Sequence, residues 1–381
     1  PASNSLAVFQ SFTPWRPSTS ANESAIILAA LENSELTYEK KNELNIGVAL
    51  GFVDNRINVE FDWYRRNNFD LIGYTQTMGV GGVTTKLAND ATMESTGCEF
   101  TISTTNIKTK DFKWTTDWIF GWAENTITKL DSRSQVYSLV NGVGRTEGRP
   151  IGALYSIPFA GLTEEGLPTF YIDAEHTQVV GPGNYADIYF QEYENIDYLK
   201  YEGTIDPKIT GSFGNTFSWK GLKLNVFFTY SFGNVLRLDN LCPVYSSDYS
   251  DLTASMKEMK NRWMVPGDEN VTTIPSIPTV RQMREIDALN NAYSAYNYST
   301  ERVAKGDFIR LKELSLAYDL PKKYFEGQNA VSSFGVKLSA TNLWLAYADK
   351  KLNGRDPEYY NSGGVSSPVP RQFTLTVKLG F

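Results

Sequence analysis

The chain has 381 residues, 21% of them charged and 13% aromatic, with a formal charge of −7 at pH 7. That balance argues against a nucleic-acid binder, which would carry a basic stripe. Cys98 and Cys242 are its only cysteines, which excludes a disulfide framework and a cysteine-type zinc site. Mean hydropathy is −0.33, and no stretch approaches the roughly 18 apolar residues of a membrane helix; Ala25–Leu31 is far too short. A modest hydropathy still leaves room for a membrane barrel, whose strands give every second residue to a polar lumen.

In chain order, strands are predicted wherever apolar residues recur at every second position. Leu44, Ile46, Val48, Leu50 and Phe52 alternate with Asn45, Gly47, Ala49 and Gly51. Ile57, Val59, Phe61 and Trp63 alternate with Asn58, Glu60, Asp62 and Tyr64. Cys98, Phe100 and Ile102 face away from Glu99, and Trp114, Trp118, Phe120 and Trp122 from Asp117. Ile209–Trp219 and Leu222–Phe232 repeat the pattern, the second setting Lys223 and Asn225 on its polar side. Leu314, Leu316 and Tyr318 follow, then Phe334, Val336 and Leu338 opposite Lys337. The last strand sets Phe373, Leu375, Val377, Leu379 and Phe381 against Thr374, Thr376 and Lys378.

That makes nine strands of one grammar, each with an apolar side almost free of charge at mid-strand. A Lys or Arg there costs about 2–4 kcal/mol in lipid. The fold expected is all-β, a transmembrane antiparallel up-and-down β-barrel. Short connections (53–56, 108–112, 220–221, 321–332) alternate with long ones (70–93, 127–206, 236–306, 347–370), as periplasmic turns alternate with extracellular loops. Helix-period patterns are confined to the long connections. Placing the long loops outside sends the last strand inward, with Phe381 at the periplasm. Nine is odd and bacterial single-chain barrels are even, so further strands are expected upstream of Pro1. Trp63, Tyr64, Trp114, Trp122, Trp219, Tyr230 and Tyr318 are the candidates for interfacial girdles.

Several blocks resemble, in order, the C-terminal half of SusC/RagA-type TonB-dependent transporters. They are Asn33–Gly51; Asn55–Asp70; Met93-Glu94-Ser95-Thr96-Gly97-Cys98-Glu99; Gly148–Tyr155 with Gly161 and Gly166-Leu167-Pro168; Asp206–Asn234; Arg262–Asp268; Lys305–Lys322; Thr341-Asn342-Leu343; and Asp356-Pro357-Glu358. Ser34 stands where the family usually has Pro, and Cys98 where an aromatic is common; Pro1–Ala30 matches no block. The resemblance implies the last nine strands (37–381) of a barrel of 22 in the bacterial outer membrane, with 1–36 an extracellular loop region. It further implies an importer of glycans or peptides, a SusD-like surface lipoprotein as lid, and TonB coupling through a plug and TonB box. Neither the plug nor the TonB box has a counterpart in this stretch. No cofactor is expected. A passive or structural barrel, scaffolding an envelope complex, is the alternative.

For the residues themselves, Asn58, Glu60, Asp62, Glu99, Asp117, Lys223, Asn225, Lys337 and Lys378 are expected to face a plug or a solvated lumen. Tyr293, Tyr296, Tyr298, Tyr359 and Tyr360 are the candidates for substrate contact, since aromatic faces stack on sugars and peptide side chains. Phe373, Leu375, Val377, Leu379 and Phe381 form the terminal barrel-assembly signal. His176, the only histidine, has no serine placed beside it, so no catalytic site is expected. Glu164-Glu165, Glu192–Asp197 and Asp248/Asp251 lack the glycine-turn oxygen loop of a calcium site, and no metal is assigned to them.

Overall fold

Residues 8–11, 26–30, 33–79, 84–241, 257–321, 324, 332–360 and 370–381 are described by the structure, a computed structural model. Alternating side chains give each strand two unlike faces, as in half-exposed antiparallel sheets, and nine strands pair into one sheet. They are β1 (Lys40–Phe52), β2 (Ile57–Gln76), β3 (Thr85–Lys108), β4 (Phe112–Leu130) and β5 (Ile209–Trp219). After them come β6 (Leu222–Phe232), β7 (Phe308–Asp319), β8 (Ser333–Ala348) and β9 (Gln372–Gly380). Each pairs antiparallel with its neighbour in sequence, without a crossover. All nine expected strands are therefore present and in up-and-down order.

Their lengths correct the sequence reading. β2 and β3 have 20 and 24 residues, where about ten cross the hydrocarbon. The 70–93 segment, expected as a long loop, is mostly paired strand, and the connection shrinks to 77–84. Apolar alternation stops near Tyr64 although backbone pairing continues to Gln76↔Thr85, past irregularities between Asn68 and Ile72 and a positive φ of 57° at Asp70. β4 likewise runs on to Leu130 and β8 to Ala348. The short turns hold as expected: Lys220 and Gly221 both take positive φ, 45° and 91°, the primed-turn geometry that matches strand twist.

The described residues of the two longest connections, 131–208 and 233–307, fold together into a module with its own core. Ala153–Ser156 pairs with Lys200–Thr204, and Val235–Arg237 with Val303–Lys305. Ile157 bridges Ser299 in parallel, joining one connection to the other. The helices Val136–Val140, Val280–Glu285 and Leu289–Asn297 all lie here, as their periodicity required. Val136, Leu139, Ile157, Phe170, Tyr185 and Tyr296 are buried at its centre. Upstream of the wall, Val8–Ser11 pairs with Ile26–Ala30 as a separate two-stranded sheet.

Candidate functional site

The register shows how the wall's chemistry is arranged. One polar row runs Ala49, Glu60, Thr101, Ile119 and Ser212 across β1 to β5; the next runs Gly47, Asp62, Glu99 and Gly121. Asn58, Ser103, Asp117 and Gly214 form a third. Across β6 to β9 the same face continues with Asn225 beside Ser315, Lys223 beside Ala317 and Lys337, and Lys378 beside Gly335. All nine residues expected on the polar side thus share one face. Ser103 donates to Asp117 at 2.7 Å, Thr216 to Asn225 at 3.1 Å, and Lys337 to Glu313 at 3.3 Å. On this face β2 to β4 carry Glu60, Asp62, Glu99 and Asp117, and β7 carries Glu313 and Asp319 between the lysines of β6, β8 and β9. Asp62 and Glu99 are direct cross-strand partners, an unfavourable pairing of like charges. Ile119 and Phe227 also sit on this face, unforeseen because both interrupt an otherwise polar series.

The other face is apolar and exposed: Leu44 to Phe52 on β1 are about half exposed, and Phe373, Leu375, Val377 and Leu379 line the β9 edge. Phe381 lies just beyond the last strand, 89% exposed. Several polar atoms on this face are paired within the sheet. The Trp118 indole donates to the Tyr230 hydroxyl, which donates to the carbonyl of Ile119, both at 2.9 Å. The Tyr230 ring lies over Gly211, where a Cβ would meet its hydroxyl at 2.4 Å. Trp114 stacks on Phe217 and donates to Asn215. Tyr64 is a correction: in register with Asn45 and Gly97, it stands on the polar face, stacked under Arg66, and not in an outer girdle.

The tyrosines proposed for substrate contact fare differently. Tyr293 and Tyr296 are 3% and 1% exposed inside the module core, and Tyr293 donates to the carbonyl of Ser276 at 2.7 Å. Burial takes both out of reach of a substrate. Tyr298 is half-buried between Tyr137 and Phe190. The Tyr360 hydroxyl accepts from the Asp239 amide and from Arg355, tying the last connection to the module. Tyr359 is partly buried next to Asp356 and Glu358, both of which pair with the buried Arg310 of β7. Arg237 is a clamp missed by the sequence reading. Its guanidinium donates to the carbonyls of Ser299, Val140 and Tyr155 and to the Ser156 hydroxyl, and burial pulls its pKa down to about 10. Nothing in the local sequence of an isolated arginine announces such a role.

His176 is exposed, stacked on Tyr171 at 4.7 Å. Among the described residues no three or more His, Cys, Asp or Glu side chains assemble into a metal site. Glu192 caps the amides of Glu194 and Tyr193, which holds its pKa below the usual carboxylate value. Asp248, Asp251 and Cys242 lie outside the described residues.

An antiparallel up-and-down wall with one apolar and one polar face, and its long connections gathered in a folded module, has the architecture of a segment of an outer-membrane β-barrel wall. No protein-family model matches the chain. It is 34% identical over 372 residues to the TonB-dependent receptor SusC of Bacteroides thetaiotaomicron, covering 91% of this chain and 32% of that protein. It is 27% identical over 385 residues to TonB-dependent receptor P3 of Formosa agariphila, covering 93% and 35%. Among solved structures, the RagAB peptide transporter superposes with a TM-score of 0.72 at 23% identity, over 99% of this chain and 38% of that one. The chain is a relative of the SusC/RagA-type TonB-dependent receptors, as its ordered motifs indicated. It spans about a third of the length of the curated relatives it matches. These relatives are receptors and transporters by name, not enzymes.

Proposed function

We propose that the chain supplies wall and extracellular loops to a TonB-dependent outer-membrane importer. Its barrel would be closed by further strands to 22 and would work with a SusD-like lipoprotein on glycans or peptides. The observation that carries this reading is the division of nine consecutive strands into a polar face and an outward face almost free of charge at mid-strand. The open edges argue the same way. Among the described residues, β1 and β9 each leave one edge of the sheet unpaired, which lipid does not tolerate, so this reading has further strands completing the wall. The nine polar-face residues then line the lumen against a plug, the module stands at the extracellular mouth, and Phe373, Leu375, Val377, Leu379 and Phe381 serve barrel assembly. RagAB is a peptide transporter by name, which favours peptides as one substrate class.

Two measurements test this. The native protein in outer-membrane extracts should have an intact mass well above the 42.8 kDa of this chain; a mass near that value would favour a scaffold completed by another chain. Deleting its gene should abolish uptake of a specific oligosaccharide or peptide, and removal of TonB should do the same. Uptake that persists without TonB would instead favour a passive barrel.

A further inference from the structure

The wall's own contacts leave one feature unexplained, a hollow of about 460 Å³ on the polar face of β5 to β9. Lys223, Ala317 and Lys337 lie side by side on β6, β7 and β8, one row from Lys378 on β9. Lys337 is neutralised by Glu313 at 3.3 Å. Neither Lys223 nor Lys378 has a carboxylate within 4.0 Å among the described residues, although Asp319 lines the same hollow. In open water two such ammoniums are cheap. Inside a lumen with low-dielectric walls, unpaired like charges converging on one space are costly and call for an anion.

We propose that this hollow receives a carboxylate-bearing segment of the polypeptide filling the barrel, with Lys223 and Lys378 as its charge partners. The inference rests on the barrel reading above. Carboxylates are the anion that a protein body can present on a fixed surface, and Asn225 and Thr216 offer hydrogen-bonding groups beside the two lysines. Glu313 and Asp319 on β7 stand between the lysine strands, and Asp117 on β4 lies two strands from β6, or roughly 10 Å. An occupant that sets its acids against Lys223 and Lys378 and clear of these carboxylates is therefore favoured over other settings.

The test uses the full-length receptor in its own outer membrane, with a benzophenone amino acid at position 223, 378 or 60 in turn, and mass spectrometry of the cross-linked peptides. Positions 223 and 378 should cross-link to an Asp- or Glu-bearing segment of the same polypeptide. Lys378→Glu should then raise vancomycin entry roughly two- to fivefold, the factor that an exposed ion pair commands, and changing the cross-linked acid to Lys should restore the barrier. Lys378→Met, with heat-modified gel mobility as the folding control, should leak less than Lys378→Glu. Cross-links to a segment without acids, or wild-type entry in Lys378→Glu, would overturn the proposal. Cross-links at 60 but none at 223 or 378 would also overturn it, in favour of an anionic solute in transit. Absence of any cross-link within the polypeptide at all three positions would instead sink the barrel reading itself.

Discussion

The wall and the loop module are built from the same amino acids by opposite rules. On the wall, Phe213 is 43% exposed and Trp118 37%, because no second layer covers the apolar face among the described residues and its strands are held by cross-strand pairs. In the module, Phe170 and Tyr185 are wholly buried, and stability comes from a water-excluding core, as in a soluble domain. Aromatic content alone therefore says little about role. What separates the two regions is the period at which aromatics recur and the polarity of their neighbours.

Substitutions can break this contrast, beginning with the largest expected effect. Tyr296→Ala should cost the module about 3–5 kcal/mol, seen as faster hydrogen exchange at Val136–Val140 and Ala153–Ser156. The amides of β5 and β6 should keep their protection; equal loss in both regions would mean that they fold as one unit. Val226→Arg, on the outward face of β6, should cost about 2–4 kcal/mol, while Asn225→Arg on the polar face should stay within about 1 kcal/mol. Unfolding in lipid vesicles compares the two, and similar costs would contradict the assignment of faces. Gly211→Ala should cost about 1–3 kcal/mol, since its Cβ would fall 2.2 Å from the Ile119 carbonyl. Tyr230→Phe, which removes both hydrogen bonds of that hydroxyl, should cost about 1–2 kcal/mol.

A pH ramp gives the mildest contrast, visible only in alkali. Burial raises the pKa of Tyr198 to about 12 and that of Tyr185 further still, while a phenol in the unfolded chain ionises near 10. The folded module therefore holds protons that the unfolded chain has lost. Its stability is complete below pH 10 and falls as pH rises through about 12. The part of the tyrosinate absorbance that Tyr185→Phe and Tyr198→Phe remove should appear together with module unfolding, and ionisation of both residues at pH 10 without unfolding would contradict their burial.

Much of the wall was legible in the sequence because each strand carries two unlike faces, so those of Leu222–Phe232 are written in alternate residues. Legibility stopped where strands leave the apolar band. Beyond Tyr64, β2 carries no apolar alternation, and its backbone pairing left no pattern to read. The module was hidden for another reason, since its pairing is long-range, as in the Ile157–Ser299 bridge. One signal was available. Leu289, Ala292, Tyr293 and Tyr296 recur at i, i+3, i+4 and i+7, the stripe of a helix packed on a core. That spacing marks Tyr293 and Tyr296 as structural. Tyr298 and Tyr360 fall outside it, and their contacts were not readable from composition.

The central claim is that one face of these strands meets lipid and the other a polar lumen. Single nitroxide labels at positions 223 to 228 of β6, in the full-length protein reconstituted in lipid vesicles, test it most directly. The account predicts a period of two, with labels at 224, 226 and 228 relaxed by lipid-soluble oxygen and those at 223, 225 and 227 shielded from it. Oxygen accessibility that is uniform along the strand, or that favours the odd positions, would contradict it.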